Sequence, residues 1–217
     1  MDRTIWGSEY FAKKVTTKRP HLGETTITNQ LDLVSRFFPI KQGQGKLSLD
    51  VGCGVGYAIR VLMRYGYEAY GTDVSEYAVT RARMLIGQHE NVEVADATDS
   101  IPFEREFDLI TCFEVIEHVR FPRTLLFNCY SKLKHGGLLV MSTPNRLSPM
   151  SFLRGDPTHV NVHSTSYWKS LADQLPGART KFFVRQWLPL TWKSEGRFRF
   201  FNLPLVGSCI LFTAVRE

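Results

Sequence analysis

Asp50-Val-Gly52-Cys-Gly54-Val-Gly56 sets a carboxylate two residues ahead of three alternating glycines. Such glycines admit a ligand close to the backbone, where a Cβ would collide. The helix expected beyond them carries Val55, Ala58, Ile59, Leu62 and Met63 and stops at Gly66. Its N-terminus offers free N–H groups and a partial positive charge to an anionic group. A dinucleotide loop, Gly-x-Gly-x-x-Gly, needs its third glycine at position 57, where this chain has Tyr57. An acid at 50 is a poor neighbour for pyrophosphate and a good one for a cation. Asp73 follows about 20 residues past the first glycine, where an acid grips ribose hydroxyls. Asp96 closes a third apolar stretch, so three acids end three successive candidate strands.

A second constellation is Phe113-Glu114-Val115-Ile116-Glu117-His118-Val119. If this run is helical, Glu114, Glu117 and His118 share one face at i, i+3 and i+4. One reading is general base catalysis: His118 takes the proton of an oxygen nucleophile near neutral pH, tuned by Glu114 and Glu117. Another is a divalent cation, Mg²⁺ among the candidates, held by Glu114, Glu117, His118 and His159. A third has Glu114 touching the cofactor, Glu117 in solvent and His118 holding a loop. Asp156-Pro-Thr-His159-Val-Asn-Val-His163 follows a later strand, and Thr143-Pro-Asn145-Arg146 ends that strand. Asn145, Arg146, His159 and His163 are therefore candidate acceptor contacts.

These residues need a scaffold that brings strand ends together. The apolar runs read as strands at 47–51, 67–72, 92–96, 106–113 and 138–142, alternating with helical patterns, which is an α/β chain. Ser75 suits the N-cap of a helix carrying Ala78, Val79, Ala82, Leu85 and Ile86. Further helices are expected over 124–134 and beyond Ser164 or Thr165, and 182–190 and 210–215 read as a closing antiparallel pair. Residues 1–45 read as a helical cap with Trp6, Tyr10 and Phe11 and a helix near 28–38, and 46–217 as the ligand-binding domain. The acceptor pocket is expected to use this cap, the 144–163 loop and the aromatic-rich segment from Trp187 to Phe201.

Together, the Asp-x-Gly-x-Gly-x-Gly loop and the three strand-end acids resemble the class I S-adenosylmethionine (SAM) methyltransferases, the loop being similar to their motif I. The resemblance implies a Rossmann-like seven-stranded sheet of order 3-2-1-4-5-7-6 with helices on both faces, and SAM as cofactor. It implies that the loop at Gly52, Gly54 and Gly56 holds the methionine part, with Asp50 on the ammonium side. Asp73-Val74-Ser75 looks like the family's ribose-binding segment. Asp96 would receive the adenine amino group, Ala97 would lie near the ring, and Phe113 would join the cofactor wall. Glu-Val-Ile-Glu-His-Val resembles the O-methyltransferases of ubiquinone biosynthesis. Glu-x-x-Glu-His with a distant histidine resembles the metal-dependent small-RNA 2′-O-methyltransferases, although no RNA-binding appendage is recognisable here.

Composition is that of a globular domain: 217 residues, 43% hydrophobic and 22% charged. The net charge of +6 permits an anionic, nucleic-acid or membrane-surface partner and selects none. Cys53, Cys112, Cys129 and Cys209 show no CxxC spacing, and reduced thiols in a cytoplasmic protein are the simplest reading. No apolar h-region opens the chain and no apolar run is long enough to span a bilayer. The expectation is O-methylation of a small-molecule, saccharide or quinone-like acceptor, in a chain whose sequence sets no oligomeric state. RNA methylation, SAM binding without chemistry and a nicotinamide-dependent enzyme are the alternatives.

Overall fold

The computed structural model describes residues 3–13, 20–87, 90–149, 156–189, 198–202 and 206–217. Strands β1 (Leu47–Val51), β2 (Glu68–Asp73), β3 (Val92–Val94), β4 (Phe107–Phe113), β5 (Leu133–Pro144), β6 (Ala178–Pro189), β7 (Phe198–Asn202) and β8 (Cys209–Arg216) form one sheet. The helices are α1 (Ser8–Lys13), α2 (Pro20–Val34), α3 (Tyr57–Arg64), α4 (Glu76–Ile86), α5 (Pro122–Ser131) and α6 (Thr165–Ala172).

The sheet order is β3-β2-β1-β4-β5-β8-β6-β7. Counting β8 as the seventh strand, this is the expected 3-2-1-4-5-7-6, extended at one edge by β7. Strands β1 to β5 pair in parallel, while β8 inserts antiparallel between β5 and β6. The order reverses at β1, between β2 and β4, so a crevice opens there at the strands' carboxyl ends. Asp50, Asp73, Glu114 and Asp96 all lie at that end.

Successive strand residues point to opposite faces, and each face is buried. Leu139 and Met141 pack with α5 and α6, whereas Leu138 and Val140 pack with the face carrying α2, α3 and α4. Leu31, Leu33 and Val34 of α2 join that second core, so this part of the N-terminal cap shares the core of the sheet.

The helix expected near 28–38 instead runs from Pro20 to Val34. Proline at the first helical position costs no hydrogen bond. Ahead of Pro39 the chain leaves the helix by turns in which Phe37 and Phe38 donate to the Val34 carbonyl. Likewise α3 starts at Tyr57, because residues 52–56 are spent on the glycine turn, and Gly56 caps it at φ 93°. Gly87 ends α4 in the left-handed conformation at φ 69°. No helix among the described residues is long and apolar enough to cross a membrane.

Candidate active site

The glycine loop folds back on β2. Gly52 and Cys53 N–H groups both donate to the Thr72 carbonyl, and Gly54 N–H donates to Asp73 Oδ2 at 2.8 Å. Gly52 has φ +71°, and a Cβ there would lie 2.3 Å from Val115 Cγ2. Glycine is required at that position by conformation and by space alike. Asp73 Oδ1 accepts from Ser75 N–H at 2.9 Å, so one carboxylate braces the loop and the start of α4. Burial pushes the Asp73 carboxyl up, against the pull of those N–H groups.

A cavity follows the sequence of expected cofactor contacts: Gly52 and Gly54, then Asp73 and Val74, then Asp96 and Ala97. Asp96 Oδ1 accepts from both the N–H and the hydroxyl of Thr98 (2.9 and 2.7 Å), which makes Thr98 a further wall residue. Asp50 faces an adjoining cavity with Cys53, Tyr57 and Phe113. It is buried, accepts from the Thr111 hydroxyl at 2.7 Å, and is pushed up to about 7. Desolvation is the main cause, opposed by Thr111 and aided by the nearby Asp73 charge. Gly56 lines neither cavity; it lets the loop pack on α4, since a Cβ there would come within 3.0 Å of Ala82. The four cysteines are free and buried.

The 114–118 segment departs from the helical expectation. Only Ile116–His118 make a turn of 3-10 helix, and Glu114 sits at φ 55°, the single non-glycine residue with positive φ among those described. Such a conformation costs about 1–3 kcal/mol and persists where its surroundings enforce it. Here Ser142 enforces it: its carbonyl accepts from Glu114 N–H at 3.0 Å and its hydroxyl donates to Glu114 Oε1 at 2.7 Å. Glu114 therefore lines both cavities. Glu117 is wholly buried, which overturns the reading that leaves it in solvent.

The loop after β5 docks on this turn. Val160 and Asn161 N–H groups both donate to the Glu117 carbonyl at 2.9 Å, and Asn161 Nδ2 donates to the Val119 carbonyl at 2.6 Å. His118 Nδ1 lies 3.1 Å from both the carbonyl and the hydroxyl of Thr158. That carbonyl can only accept, and the hydroxyl proton is committed to Asp156 Oδ1 at 2.6 Å. Nδ1 therefore carries the ring proton, and Nε2 of the neutral ring keeps a lone pair. Nε2 lies 4.0 Å from Glu117 Oε1, and the His118 and His159 rings meet at 4.6 Å. One ligand atom from each of Glu117, His118 and His159 lies within 4.8 Å of the others. His118 borders the cavity of Gly52, Asp73 and Asp96, the adjoining cavity and an outer groove lined by Ile5, Phe121 and Val160.

The structure thus brings His118, Glu117 and His159 together with Glu114 beside them. It does not bring Asn145, Arg146 or His163 to either cavity. Asn145 is buried and holds a turn, its Nδ2 donating to the Gly207 carbonyl and its Oδ1 accepting from Leu147 N–H. Arg146 is exposed, and its N–H donates to the His163 carbonyl at 3.1 Å. His163 stacks on Tyr167 at 3.8 Å, and burial and then Arg146 lower its pKa. Of the expected acceptor wall, residues 150–155 and 190–197 lie outside the described residues. Wall residues not anticipated individually include Thr98, Thr158 and Asn161. The two threonines leave a sequence trace, a repeated Asp-x-Thr at 96–98 and 156–158, in which the acid caps its own turn.

A family profile described as a methyltransferase domain matches residues 24–184. The chain belongs to this family. The methyltransferase domain is 37% identical over 106 residues to the ubiquinone biosynthesis O-methyltransferase of Coxiella burnetii, covering 48% of this chain and 45% of that protein. The corresponding protein of Alkalilimnicola ehrlichii is 36% identical over 116 residues, 51% of this chain and 46% of that one. The chain spans about half the length of the curated relatives it matches. Among solved structures, a SAM-dependent methyltransferase from Thermotoga maritima superposes with a TM-score of 0.68 at 19% identity, over 90% of this chain and 91% of that one. Magnesium protoporphyrin IX methyltransferase from Synechocystis, with bound S-adenosylhomocysteine (SAH), gives 0.66 at 16% identity, over 99% and 98%. These two likenesses show the class I fold. The chain thus carries a methyltransferase domain, with the cavity of Gly52, Asp73 and Asp96 at the β1 switch point.

Proposed function

We propose that this chain transfers the methyl group of SAM to a hydroxyl of a small organic acceptor, quinone-like or saccharide, with His118 as the base. The observation that carries this is the position of His118, on the wall between the cofactor cavity and both neighbouring spaces. An acceptor reaching the sulfonium methyl from either side passes His118. The hydroxyl proton moves to Nε2 as the oxygen attacks in line, and the buried Glu117 carboxylate stabilises the imidazolium that results. Most of the acceleration comes from holding oxygen and methyl in near-attack contact, with proton removal contributing about 10²–10⁴-fold. The oxygen preference is further supported by the names of the relatives, both O-methyltransferases.

A second reading is favoured by the grouping of Glu117, His118 and His159. The Thr158 carbonyl accepts from His118 Nδ1, as a carbonyl commonly does behind a metal-ligating histidine, so Nε2 is the nitrogen that would meet a metal. One carboxylate and two imidazoles suit a divalent transition ion better than Mg²⁺, which prefers oxygen donors. A cation there would lower the pKa of the acceptor hydroxyl and orient it.

A screen with methyl-labelled SAM over phenols and catechols, saccharides, lipid extracts and RNA, each with and without EDTA, tests both readings. The expected result is label in a hydroxylated small molecule, undiminished by chelation. Activity abolished by EDTA, restored by added Mn²⁺ or Zn²⁺ and absent in Glu117→Ala moves the chemistry from base to cation. Label found only in RNA overturns the small-molecule assignment.

A further inference from the structure

A separate cavity lies at the other end of the sheet, against the amino ends of the parallel strands. Lys46 precedes β1, Tyr67 precedes β2 and Asp108 is the second residue of β4, and all three line it. An irregular stretch of sheet borders this end. Between two paired positions β4 advances from Phe107 to Leu109 while β5 advances from Leu133 to Leu138, so residues 134–137 form a bulge. Gly137 passes too close to the carbonyls of Lys134 and Phe107 for a Cβ, which would lie 2.8 and 2.9 Å from them. The cavity measures about 260 Å³, short of the roughly 300–1,000 Å³ that hold drug-sized ligands, so its occupant is small.

Its apolar lining is Ile40, Leu109, Leu138 and Val215, all buried. The polar lining is uneven in charge, with Lys46, His135 and Arg179 set against one acid, Asp108. That acid is already engaged, its Oδ2 accepting from Leu47 N–H and from Lys134 Nζ, both at 2.8 Å. Arg179 pairs with Glu217 at 2.9 Å, whereas Lys46 and His135 have no carboxylate partner among the described residues. Tyr67 is buried, and its hydroxyl makes no hydrogen bond among the described residues. Burial, then the Asp108 charge, push the Tyr67 pKa up to about 12, so the hydroxyl keeps its proton.

We propose that this cavity binds a small organic anion, an aromatic carboxylate, through Lys46, His135 and the Tyr67 hydroxyl, with its ring on the apolar lining. A hydrated inorganic ion would leave the apolar residues uncovered, and a neutral ring would leave the cations and the hydroxyl unanswered. A carboxylate on an ammonium and a phenol makes charge-assisted hydrogen bonds, which are among the strong ones. The β1 switch point lies at the opposite ends of the same strands, so this ligand is neither the cofactor nor the acceptor. The proposal does not rest on the methyl-transfer reading.

The test is an NMR titration of the chain with benzoate at one fixed pH, read at the ring signals of Tyr67 and His135. Both should shift and saturate, with half-saturation at or below about 1 mM. Lys46→Gln, which removes a charged donor, should weaken benzoate about tenfold or more, and Lys46→Arg should restore most of it. Tyr67→Phe, read at His135, should weaken it about three- to tenfold and leave the melting temperature of the free chain unchanged. Shifts that grow without saturating overturn the proposal, as does an affinity that neither Lys46→Gln nor Tyr67→Phe alters. Benzylamine moving the same signals as strongly would overturn the choice of an anion. Inorganic phosphate matching benzoate would show that charge alone is read, and would overturn the organic ligand.

Discussion

SAM affinity is expected to weaken about tenfold for each pH unit below about 7, reaching roughly 100-fold at pH 5. The group responsible is Asp50, whose buried carboxyl is pushed up to about 7 in the ligand-free chain. Taken to be the partner of the SAM ammonium, it must be ionised in the complex, so binding at acid pH has to expel its proton. The same shift has a cost for the empty fold. A carboxyl at 3.8 in the unfolded chain and near 7 in the folded one binds more protons when folded, so stability falls as pH rises between those values. Above pH 7 the full penalty is on the order of 4 kcal/mol. Asp50→Asn keeps the shape beside Thr111 and removes the charge. At pH 8 it should raise the melting temperature of the free chain and weaken SAM binding, and its affinity should no longer vary with pH. Calorimetry in two buffers of different ionisation enthalpy counts the proton directly. About one proton should be released per SAH bound near pH 6; affinity that is flat from pH 5 to 8 would remove Asp50 from the ammonium site.

His118→Ala should lower methyl transfer about 10²–10⁴-fold. The loss should appear in kcat, because the lone pair at Nε2 acts only as the acceptor oxygen sheds its proton. His118→Gln, which can still bond Thr158 but cannot accept the proton as a base, should rescue little. Single-turnover transfer from labelled SAM measures this free of product release. A variant within threefold of the native rate would end the base assignment, whatever its effect on KM.

Much of the fold was legible because local chemistry and global topology agree at the first half of the sheet. The glycine turn at 52–56 and the Ser75 cap act over a few residues, and the apolar runs of β1, β2 and β4 sit where their composition puts them. Asp50, Asp73 and Asp96 were readable because each closes a strand, and parallel strands bring their ends to one edge. The 114–118 segment was not readable in the same way. Its apolar spacing mimics a helix, while the actual turn is dictated by Ser142, 28 residues away. Asn145 shows the opposite limit. A polar side chain at a strand end looks the same whether it faces a ligand or the Gly207 carbonyl 62 residues on. Trp6 was visible as an aromatic of the cap, but its contacts with Ser75 and His118 belong to tertiary packing and leave no local trace. The β7 edge strand has no distinct trace in the sequence, because an aromatic, basic run such as Phe198–Phe201 suits a sheet edge and an acceptor wall equally.

The proposed site divides in two: Asp73 and the glycine loop would hold the cofactor, and the His118 group would act on the acceptor. Calorimetric titration of SAH into the native chain, Asp73→Ala and His118→Ala tests that division most directly. The native chain and His118→Ala should bind SAH one to one with affinities within about fivefold of each other, a ground-state difference far smaller than the rate loss. Asp73→Ala should give no measurable binding. If Asp73→Ala binds like the native chain, or His118→Ala loses SAH altogether, the division is wrong.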